Sequence, residues 1–480
     1  MVIIVHNKSQ VFTPKIYVNN MLDIIGYKGK KIIGKYILEN SCGEGNVLLE
    51  ITNRYINSAR SLNYSDARIK RDLEKYIIGF EIDKRVIEIC INRLNELANK
   101  KGIHNVNWNI KNEDYLKHRH RHKMDYIVGN PPYITYQELS IENRCFLKET
   151  FFSCSKGKFD YCYAFIEKSI SELSEIGKLS FIIPNSIFKN VFGEELRKIM
   201  INFIEKIYDF KESLIFGNNI LTSPAIILIN KQIKTNTLVY KDIDNSETLK
   251  INKGDLKKKW FFSTNFLENA QSSKKFGDYY KVSNSVATLL NDIFVIRKND
   301  IINENDLYVE MKDGSKIEKE VLRLAASPRS YSIAREEYIL FPYFYENNNL
   351  MKYSEIEFRL KYPEAYKYLY SNIEKLNNRR SDNSAKWFEF GRSQALSFMN
   401  REKLLISSVI TNEVRTYRLD ENTIPYSGFY IIPTGEKNLD EAEKLLKSEE
   451  FFSYLLIRGI NANGKSLRFS VNDISNYPIK

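Results

Sequence analysis

A short apolar run, a glycine loop and a second apolar run follow one another in Tyr36-Ile-Leu-Glu-Asn-Ser-Cys-Gly-Glu-Gly-Asn-Val-Leu-Leu-Glu-Ile51. The first run predicts a buried strand, and the loop leads into the N-terminus of a helix. Gly43 and Gly45 allow the backbone to approach a ligand closely at that helix end. Because the loop is shorter than a pyrophosphate-binding fingerprint and begins with Glu39, it favours a cationic ligand.

The alternation of short apolar runs with amphipathic stretches continues from residue 30 to about residue 230. This pattern predicts an α/β fold of βαβ units on a mostly parallel sheet. The expected strands are 36–38, 76–81, 106–110, 126–128, 178–183, 204–210 and 225–229, and the expected helices include 85–99 and 161–173. Polar residues follow strands of this series at Glu39, Glu81, Asp114 and Asn130. Because ligands bind outside the carboxyl ends of such strands, we expect a site at this edge.

The composition limits the class of protein. With 480 residues and 43% hydrophobic content, the chain is long enough for two or three domains with real cores. Aromatic and Arg-rich segments become frequent after residue 234, so we predict domains at 1–234 and 235–480. We expect a cytoplasmic protein without a membrane span or signal peptide. The net charge of +12 favours a polyanionic partner, and five cysteines without paired spacing indicate neither a disulfide framework nor a zinc site.

The tetrapeptide Asn130-Pro131-Pro132-Tyr133 follows the apolar run 125–129. The Asn amide and the Pro-Pro backbone supply two rigid carbonyl acceptors for the exocyclic amino group of a flat heterocycle, on which Tyr133 can stack. Such acceptors draw the nitrogen lone pair out of conjugation and aim it at an electrophile. This is positioning and electrostatic stabilisation rather than general-base catalysis.

Three spaced carboxylates, Glu39, Glu81 and Asp114, suit an adenosine without phosphates. Glu81 ends the second strand, where it can hydrogen-bond both hydroxyls of a ribose, and Asp83 fits the N-cap of the next helix. Asp114 can accept a hydrogen bond from an adenine amino group, with Tyr115 against the ring. Because the Lys of a phosphate loop does not accompany them, the cofactor that fits is S-adenosylmethionine.

These residues resemble the adenine-specific DNA methyltransferases of type II restriction-modification systems, and the TaqI-like subgroup in particular. The resemblance implies a Rossmann-like S-adenosylmethionine-dependent methyltransferase sheet, followed by a C-terminal mixed α+β DNA-recognition domain. Phe12-Thr13-Pro14-Lys15 resembles the segment that closes over the methionine end of the cofactor. The cofactor-binding residues implied in this way are Thr13, Glu39, Cys42, Gly43, Gly45, Glu81, Ile82, Asp114, Tyr115 and Phe165.

Further segments resemble the family's aromatic and recognition motifs. Asp160-Tyr-Cys-Tyr-Ala-Phe165 resembles the segment that places an aromatic beside the cofactor adenine. Val191-Phe-Gly193 resembles the segment with a second stacking aromatic, which we assign to Phe192 although a strict alignment places Gly193 there. In the C-terminal half, the segments 282–286, 362–366 and 387–394 resemble the target-recognition domain. The candidate DNA-binding residues there are Arg379, Arg380 and Arg392.

The resemblance implies methyl transfer to N6 of an adenine flipped out of double-stranded DNA, in a prokaryotic cytoplasm. A monomer would suffice to modify one strand per event, so we expect a monomer, and a separate cognate restriction endonuclease is left open. One alternative is methylation of an RNA base or a protein glutamine by the same loop, and another is a non-catalytic DNA-binding protein. The run Lys117-His-Arg-His-Arg-His-Lys123 predicts a charged surface connection rather than a zinc site.

Overall fold

The computed structural model describes residues 13–211, 223–262, 274–461 and 466–479. These residues divide into two units, of which the first reaches residue 262 and also includes residues 460–461. The second unit contains residues 274–459 and 466–479. The first unit therefore continues past the predicted boundary at residue 234, because strands that follow this point extend its sheet.

The first unit is built on a nine-stranded sheet. Its strands are β1 Ile37–Glu39, β2 Ile77–Glu81, β3 Asn109–Asn112, β4 Met124–Gly129, β5 Leu173–Pro184, β6 Ile204–Asp209, β7 Pro224–Asn230, β8 Thr237–Asp242 and β9 Glu247–Asn252. They lie in the order β3-β2-β1-β4-β5-β7-β6-β8-β9. The first five strands of this order are parallel to one another, and β7 is antiparallel to both of its neighbours. The strand order reverses between β1 and β4, which is where ligands bind in sheets of this kind.

Helices cover both faces of this sheet. They are α1 Lys15–Ile24, α2 Asn46–Arg60, α3 Asp66–Tyr76, α4 Lys84–Lys100, α5 Ile141–Thr150, α6 Cys162–Glu172 and α7 Glu194–Met200. Buried side chains of α1, α2 and α4 form one apolar core, and those of α6 and α7 belong to the other. The predicted α/β class with a mostly parallel sheet is therefore confirmed.

The third strand differs from its prediction at 106–110, since β3 begins only at Asn109. Val106 and Trp108 lie in the connection that precedes the strand, and their apolar side chains are buried there. The apolar pattern therefore marks this buried connection and not the strand itself. The indole of Trp108 donates a hydrogen bond to Asn95 of α4 at 2.8 Å, which fixes this connection against the helix.

The second unit mixes short strands and short helices. Its strands are β10 Tyr280–Asn284, β11 Val295–Arg297, β12 Ile301–Glu304, β13 Tyr308–Met311, β14 Lys316–Glu318, β15 Leu322–Ala326, β16 Glu337–Leu340, β17 Tyr343–Glu346, β18 Asn349–Lys352, β19 Lys403–Ile406, β20 Val409–Ile410, β21 Thr416–Leu419, β22 Ile424–Pro425, β23 Phe429–Pro433 and, after β24 Ile460–Asn461 of the first unit, β25 Leu467–Arg468. Its helices are α8 Phe276–Tyr279, α9 Asn291–Phe294, α10 Pro328–Ser332, α11 Glu355–Lys361, α12 Pro363–Tyr370, α13 Ile373–Asn377, α14 Leu439–Leu446, α15 Glu449–Arg458 and α16 Val471–Ser475.

The core of the second unit is rich in aromatic side chains. Phe388 and Phe390 are fully buried, and the Phe390 ring packs against Tyr343 with 5.4 Å between the ring centroids. Two four-stranded sheets, β10-β23-β19-β21 and β11-β16-β15-β22, frame this region. In the described part of the chain, helices of sufficient length and apolarity to cross a membrane are absent.

Candidate functional site

The glycine loop joins the end of β1 to the start of α2. The backbone has φ of +50° at Gly43 and +85° at Gly45, so both positions favour glycine. A Cβ atom on Gly45 would lie 2.5 Å from the Cys90 sulfur of α4, whereas a Cβ on Gly43 would meet no heavy atom within 4 Å. Gly45 is therefore required by packing against α4, and the space beside Gly43 can accommodate a ligand. Cys42 is buried, and its N–H donates to the Phe80 carbonyl at 2.8 Å.

Glu39 lies beneath this loop rather than facing outward. Its side chain is 3% exposed, and Oε2 accepts a hydrogen bond from the Leu48 N–H in the first turn of α2 at 3.1 Å. Burial raises the pKa of the Glu39 carboxyl well above its ordinary value. The carboxyl thus fixes the loop to its helix, and any charge that it offers to a cationic ligand depends on its protonation.

Glu81 ties the end of β2 to the glycine loop. Its Oε2 accepts from the Gly43 N–H at 3.1 Å, and Oε1 accepts from the N–H groups of Ile82 at 2.8 Å and Asp83 at 3.0 Å. A carboxylate has about four lone-pair positions, so these contacts leave acceptor capacity for a ligand. Asp83 caps α4 by accepting from the Arg85 N–H at 2.9 Å, as predicted.

The tetrapeptide 130–133 follows β4, next to the glycine loop. The Ser41 hydroxyl donates to the Asn130 carbonyl at 3.0 Å, and the Tyr133 hydroxyl donates to the Ile182 carbonyl of β5 at 3.1 Å. Pro131 is buried and Pro132 is half-buried. Hydrogen bonds to the loop after β1 and to β5 therefore hold this segment. Ser41, which the sequence reasoning missed, links the two loops, and its place in the turn after β1 was the available signal.

Asp114 and Tyr115 follow the end of β3, and the second predicted cofactor aromatic, Phe165, lies on α6. Asp114 Oδ1 accepts from the Leu116 N–H at 3.0 Å, and partial burial raises the pKa of its carboxyl. The Tyr115 ring is 2% exposed, its hydroxyl donates to Glu172 at 2.7 Å, and its centroid lies 5.5 Å from that of Phe165. The Tyr115 ring is therefore packed inside the fold, and its contact with a cofactor adenine stays a prediction.

Phe192 stands on the short 3-10 helix Val191–Gly193 and is 43% exposed. A Cβ on Gly157 would clash with Cδ1 of Phe192, so the ring lies directly against the backbone of that glycine. Gly193 is buried, which leaves Phe192 as the aromatic that this segment presents. Thr13 is buried just before α1, while Phe12 lies outside the described residues.

The histidine run 117–123 is only in part the charged surface connection that was predicted. The His120 side chain is 6% exposed, and its ring packs on Phe80 with 5.3 Å between the centroids. Burial and the neighbouring His118 lower the pKa of His120 to about 4. Within the described residues, groups of three or more side chains suited to hold a metal ion are absent.

The three predicted DNA-binding arginines have different environments. The Arg379 guanidinium donates to the carbonyls of Leu376 at 2.9 Å, Thr288 at 2.8 Å and Trp387 at 2.6 Å. The Arg379 guanidinium therefore fixes the backbone of this unit, and its assignment as a base-reading residue stays a prediction. Arg380 is exposed, and Arg392 forms an ion pair with Asp382 at 2.5 Å while remaining 43% exposed.

Comparison with known proteins finds similarity to methylases of restriction-modification systems. Residues 47–216 match the family model described as Eco57I restriction-modification methylase, and this segment contains most of helix α2, Glu81 and residues 130–133. The Type II methyltransferase M.BstVI of Geobacillus stearothermophilus is 24% identical to this chain over 497 residues, which cover 96% of this chain and 87% of that protein.

Other similar proteins are much longer than the region that they share with this chain. The Type II restriction enzyme and methyltransferase RM.Eco57I of Escherichia coli is 24% identical over 346 residues, which are 63% of this chain but only 34% of that protein. The solved structure of the Type IIL restriction-modification enzyme MmeI in complex with DNA has a TM-score of 0.64 and 15% identity, covering 97% of this chain and 66% of that one. This likeness establishes the fold.

Proposed function

We propose that this protein is a methylase that transfers a methyl group from S-adenosylmethionine to N6 of an adenine in double-stranded DNA. The observation that carries the proposal is the fixed position of residues 130–133 directly beside the glycine loop. The names of its Type II methyltransferase relatives and the DNA complex of MmeI support the same substrate class.

The chain's residues fit the cofactor. The open space beside Gly43 admits a ligand at the N-terminus of α2, and Glu81 retains acceptor capacity at the point where ribose hydroxyls would lie. Cys42, Gly45 and Ile82 shape the loop around them, Asp114 and Phe165 would hold the adenine, and Thr13 would cover the methionine end. When bound, S-adenosylmethionine supplies an electrophilic methyl group on a sulfonium.

Asn130 and the Pro131 carbonyl would accept hydrogen bonds from the amino group of the target adenine. Because these acceptors hold both amino hydrogens, the nitrogen lone pair is directed away from the ring and toward the methyl group. The Tyr133 ring is oriented by its hydroxyl bond to Ile182 and would stack on the base, with Phe192 as a second stacking surface. After transfer, the amino group releases one proton to water.

A base inside a duplex cannot reach these residues, so the target adenine would be flipped out of the helix at a cost of a few kcal/mol. Stacking on Tyr133 and Phe192 offsets part of this cost. In the second unit, Arg380 and Arg392 remain candidates for DNA contacts because both guanidinium groups reach the surface. Arg379 is not included in this proposal, because its guanidinium binds three backbone carbonyls.

The test is methylation-sensitive single-molecule sequencing of DNA from a methylase-free host that expresses the wild type or Asn130→Ala. We expect 6-methyladenine at a single motif with the wild type and none with Asn130→Ala, which should still bind S-adenosylmethionine and DNA. Asn143→Ala, near the start of α5, is the control and should methylate like the wild type. Methylation by Asn130→Ala at the wild-type rate would refute the role of Asn130, and unmodified wild-type DNA would redirect the search to RNA or a protein glutamine.

A further inference from the structure

The second unit contains a polar cleft that the proposed function does not yet use. It has a volume of about 760 Å³ and lies between the loop after β10, the segment around Arg392 and the turn before β23. The polar side chains at its surface include Asn284, Asp382, Arg392 and Gln394. Asn284 and Gln394 are exposed, so their amide groups are accessible from solvent.

The walls of this cleft are held rigidly. The N–H groups of Gly391 and Arg392 donate to the carbonyls of Thr288 at 3.2 Å and Ala287 at 3.1 Å. The Thr288 carbonyl also accepts from the Arg379 guanidinium at 2.8 Å, so this arginine braces the cleft. These hydrogen bonds hold the backbone around the cleft, so the side chains at its opening have a fixed arrangement.

The same bracing maintains a strained backbone at the rim. Leu289 has φ of +63°, a conformation that is costly for a bulky residue, and its side chain is 43% exposed. A Cβ on Gly391 would lie 2.5 Å from Leu289 Cδ1, so the glycine makes room for this side chain. Strain that persists in this way is characteristic of binding sites.

The charges in the cleft favour the edge of a base pair over a backbone phosphate as its ligand. The charged side chains that line it are Asp382 and Arg392, which form an ion pair at 2.5 Å, and the Arg392 guanidinium holds the pKa of Asp382 below its ordinary value. The Ser393 N–H also donates to Asp382 Oδ2 at 3.3 Å, which fixes the carboxylate and with it the guanidinium. A phosphate would be repelled by this carboxylate, whereas the neutral edge of a base pair presents donors and acceptors together.

We propose that this cleft reads base edges in the major groove, with Arg392, oriented by Asp382, donating to O6 and N7 of a guanine. Gln394 and Asn284 offer the paired donor and acceptor that match N6 and N7 of adenine. This inference rests on the proposed function, because it assigns the specificity of the same methylation. Arg392 was a candidate from the sequence, and the structure adds Asn284, Asp382 and Gln394.

The experiment compares methylated motifs genome-wide for the wild type, Arg392→Ala and Gln394→Ala in a methylase-free host. We expect Arg392→Ala to lose discrimination at one guanine of the motif by on the order of ten- to a hundredfold, and Gln394→Ala to lose it at a different base pair. Arg418→Ala is the matched control, because this arginine is 47% exposed and ion-paired with Glu402 and Asp440 but does not line the cleft. Its motif should equal that of the wild type.

The possible outcomes separate the cleft from the chemistry. A motif that stays unchanged in both cleft variants while methylation falls uniformly would overturn the assignment and make the cleft a sequence-independent anchor. If Arg392→Ala fails to fold, Gln394→Ala at its exposed position decides alone. Wild-type protein that methylates no DNA would overturn the proposed function itself, and the base-reading role with it.

Discussion

A Cβ atom at position 45 would lie 2.5 Å from the Cys90 sulfur, in a backbone conformation with φ of +85°. We therefore predict that Gly45→Ala weakens S-adenosylmethionine binding by at least roughly tenfold, because strain of about 1–2 kcal/mol adds to the steric clash. Gly43→Ala meets no protein atom within 4 Å, so the stability of the free protein should fall less than in Gly45→Ala, while the new Cβ would enter the space that we assign to the cofactor. Calorimetric titration with the cofactor and thermal unfolding measure the two effects.

The clash at Gly45 can be tested separately from its strain. Cys90→Ala removes the sulfur that the new Cβ would meet, so the double variant should recover part of the lost affinity. If adding Cys90→Ala restores none of the affinity that Gly45→Ala removes, packing against α4 is not the reason for this glycine.

His120 gives a prediction for pH dependence. Its pKa is lowered to about 4 by burial, below the ordinary value of about 6.5. The folded state therefore binds fewer protons than the unfolded state between these values, and stability is lost as the pH falls from about 6.5 to 4, on the order of 2 kcal/mol. His120→Asn should show a shallower loss by chemical denaturation, whereas the exposed His104→Asn should follow the wild type.

The Asp160 carboxyl changes the pH dependence of stability in the opposite direction to His120 over part of this pH range. Burial raises the pKa of its carboxyl to about 6, so its contribution to stability is lost as the pH rises from about 3.8 to 6. The test is therefore the difference between His120→Asn and the wild type, in which the Asp160 contribution cancels. Identical pH profiles for the two proteins would contradict the account of His120.

Single residues also show where sequence reasoning ends. Asn130, Glu81 and Gly45 could be found because they follow strands, and the order of strands in an α/β sheet brings such residues to one edge. Arg379 and Arg392 carry the same side chain, yet one binds backbone carbonyls and the other reaches the surface. That difference depends on tertiary neighbours, which a local pattern does not contain.

At the scale of elements, the short helix 191–193 depends on a glycine from a distant turn. The Phe192 ring lies against the backbone of Gly157, where a Cβ would clash with the ring atoms. We predict that Gly157→Ala displaces the ring and lowers methylation by roughly tenfold, by removing stacking worth about 1–3 kcal/mol. The rate of methyl transfer under single-turnover conditions is the measurement.

A double-mutant cycle tests whether the effect passes through Phe192. In a Phe192→Ala background, Gly157→Ala should lower the rate of methyl transfer little further, because the ring that it displaces is already absent. Additive losses would mean that Gly157 affects the site by another route. Phe192→Ala itself should leave cofactor affinity unchanged.

Strands with continuous apolar runs were predictable, and those with a half-buried pattern were not. β1, β2, β6 and β7 lie within a residue of their predicted bounds. β8 alternates between buried and partly exposed residues, and at β9 only Ile251 is fully buried. Because such strands resemble surface segments in sequence, the first unit was predicted to end before them.

For the whole molecule, the net charge of +12 gives a prediction about salt. DNA affinity should fall steeply as salt rises, with a logarithmic slope of about −0.9 per neutralised phosphate. Arg380→Ala should reduce this slope by about 1 if the exposed guanidinium contacts a phosphate. Fluorescence anisotropy with labelled duplex DNA measures the slope, with Arg415→Ala, an exposed arginine paired with Glu413, as the control. Equal slopes for Arg380→Ala and the wild type would remove Arg380 from the DNA contacts.

The chain returns to its first unit near its end. Residues 460–461 belong there although residues 274–459 and 466–479 form the second unit, and Asn461 donates from Nδ2 to the Lys211 carbonyl at 3.4 Å. A recombination event that exchanges everything after residue 262 would therefore import a foreign piece of the first unit. Chimeras made to acquire a new target sequence should keep the host's residues 460–461 and take only the flanking segments from the donor.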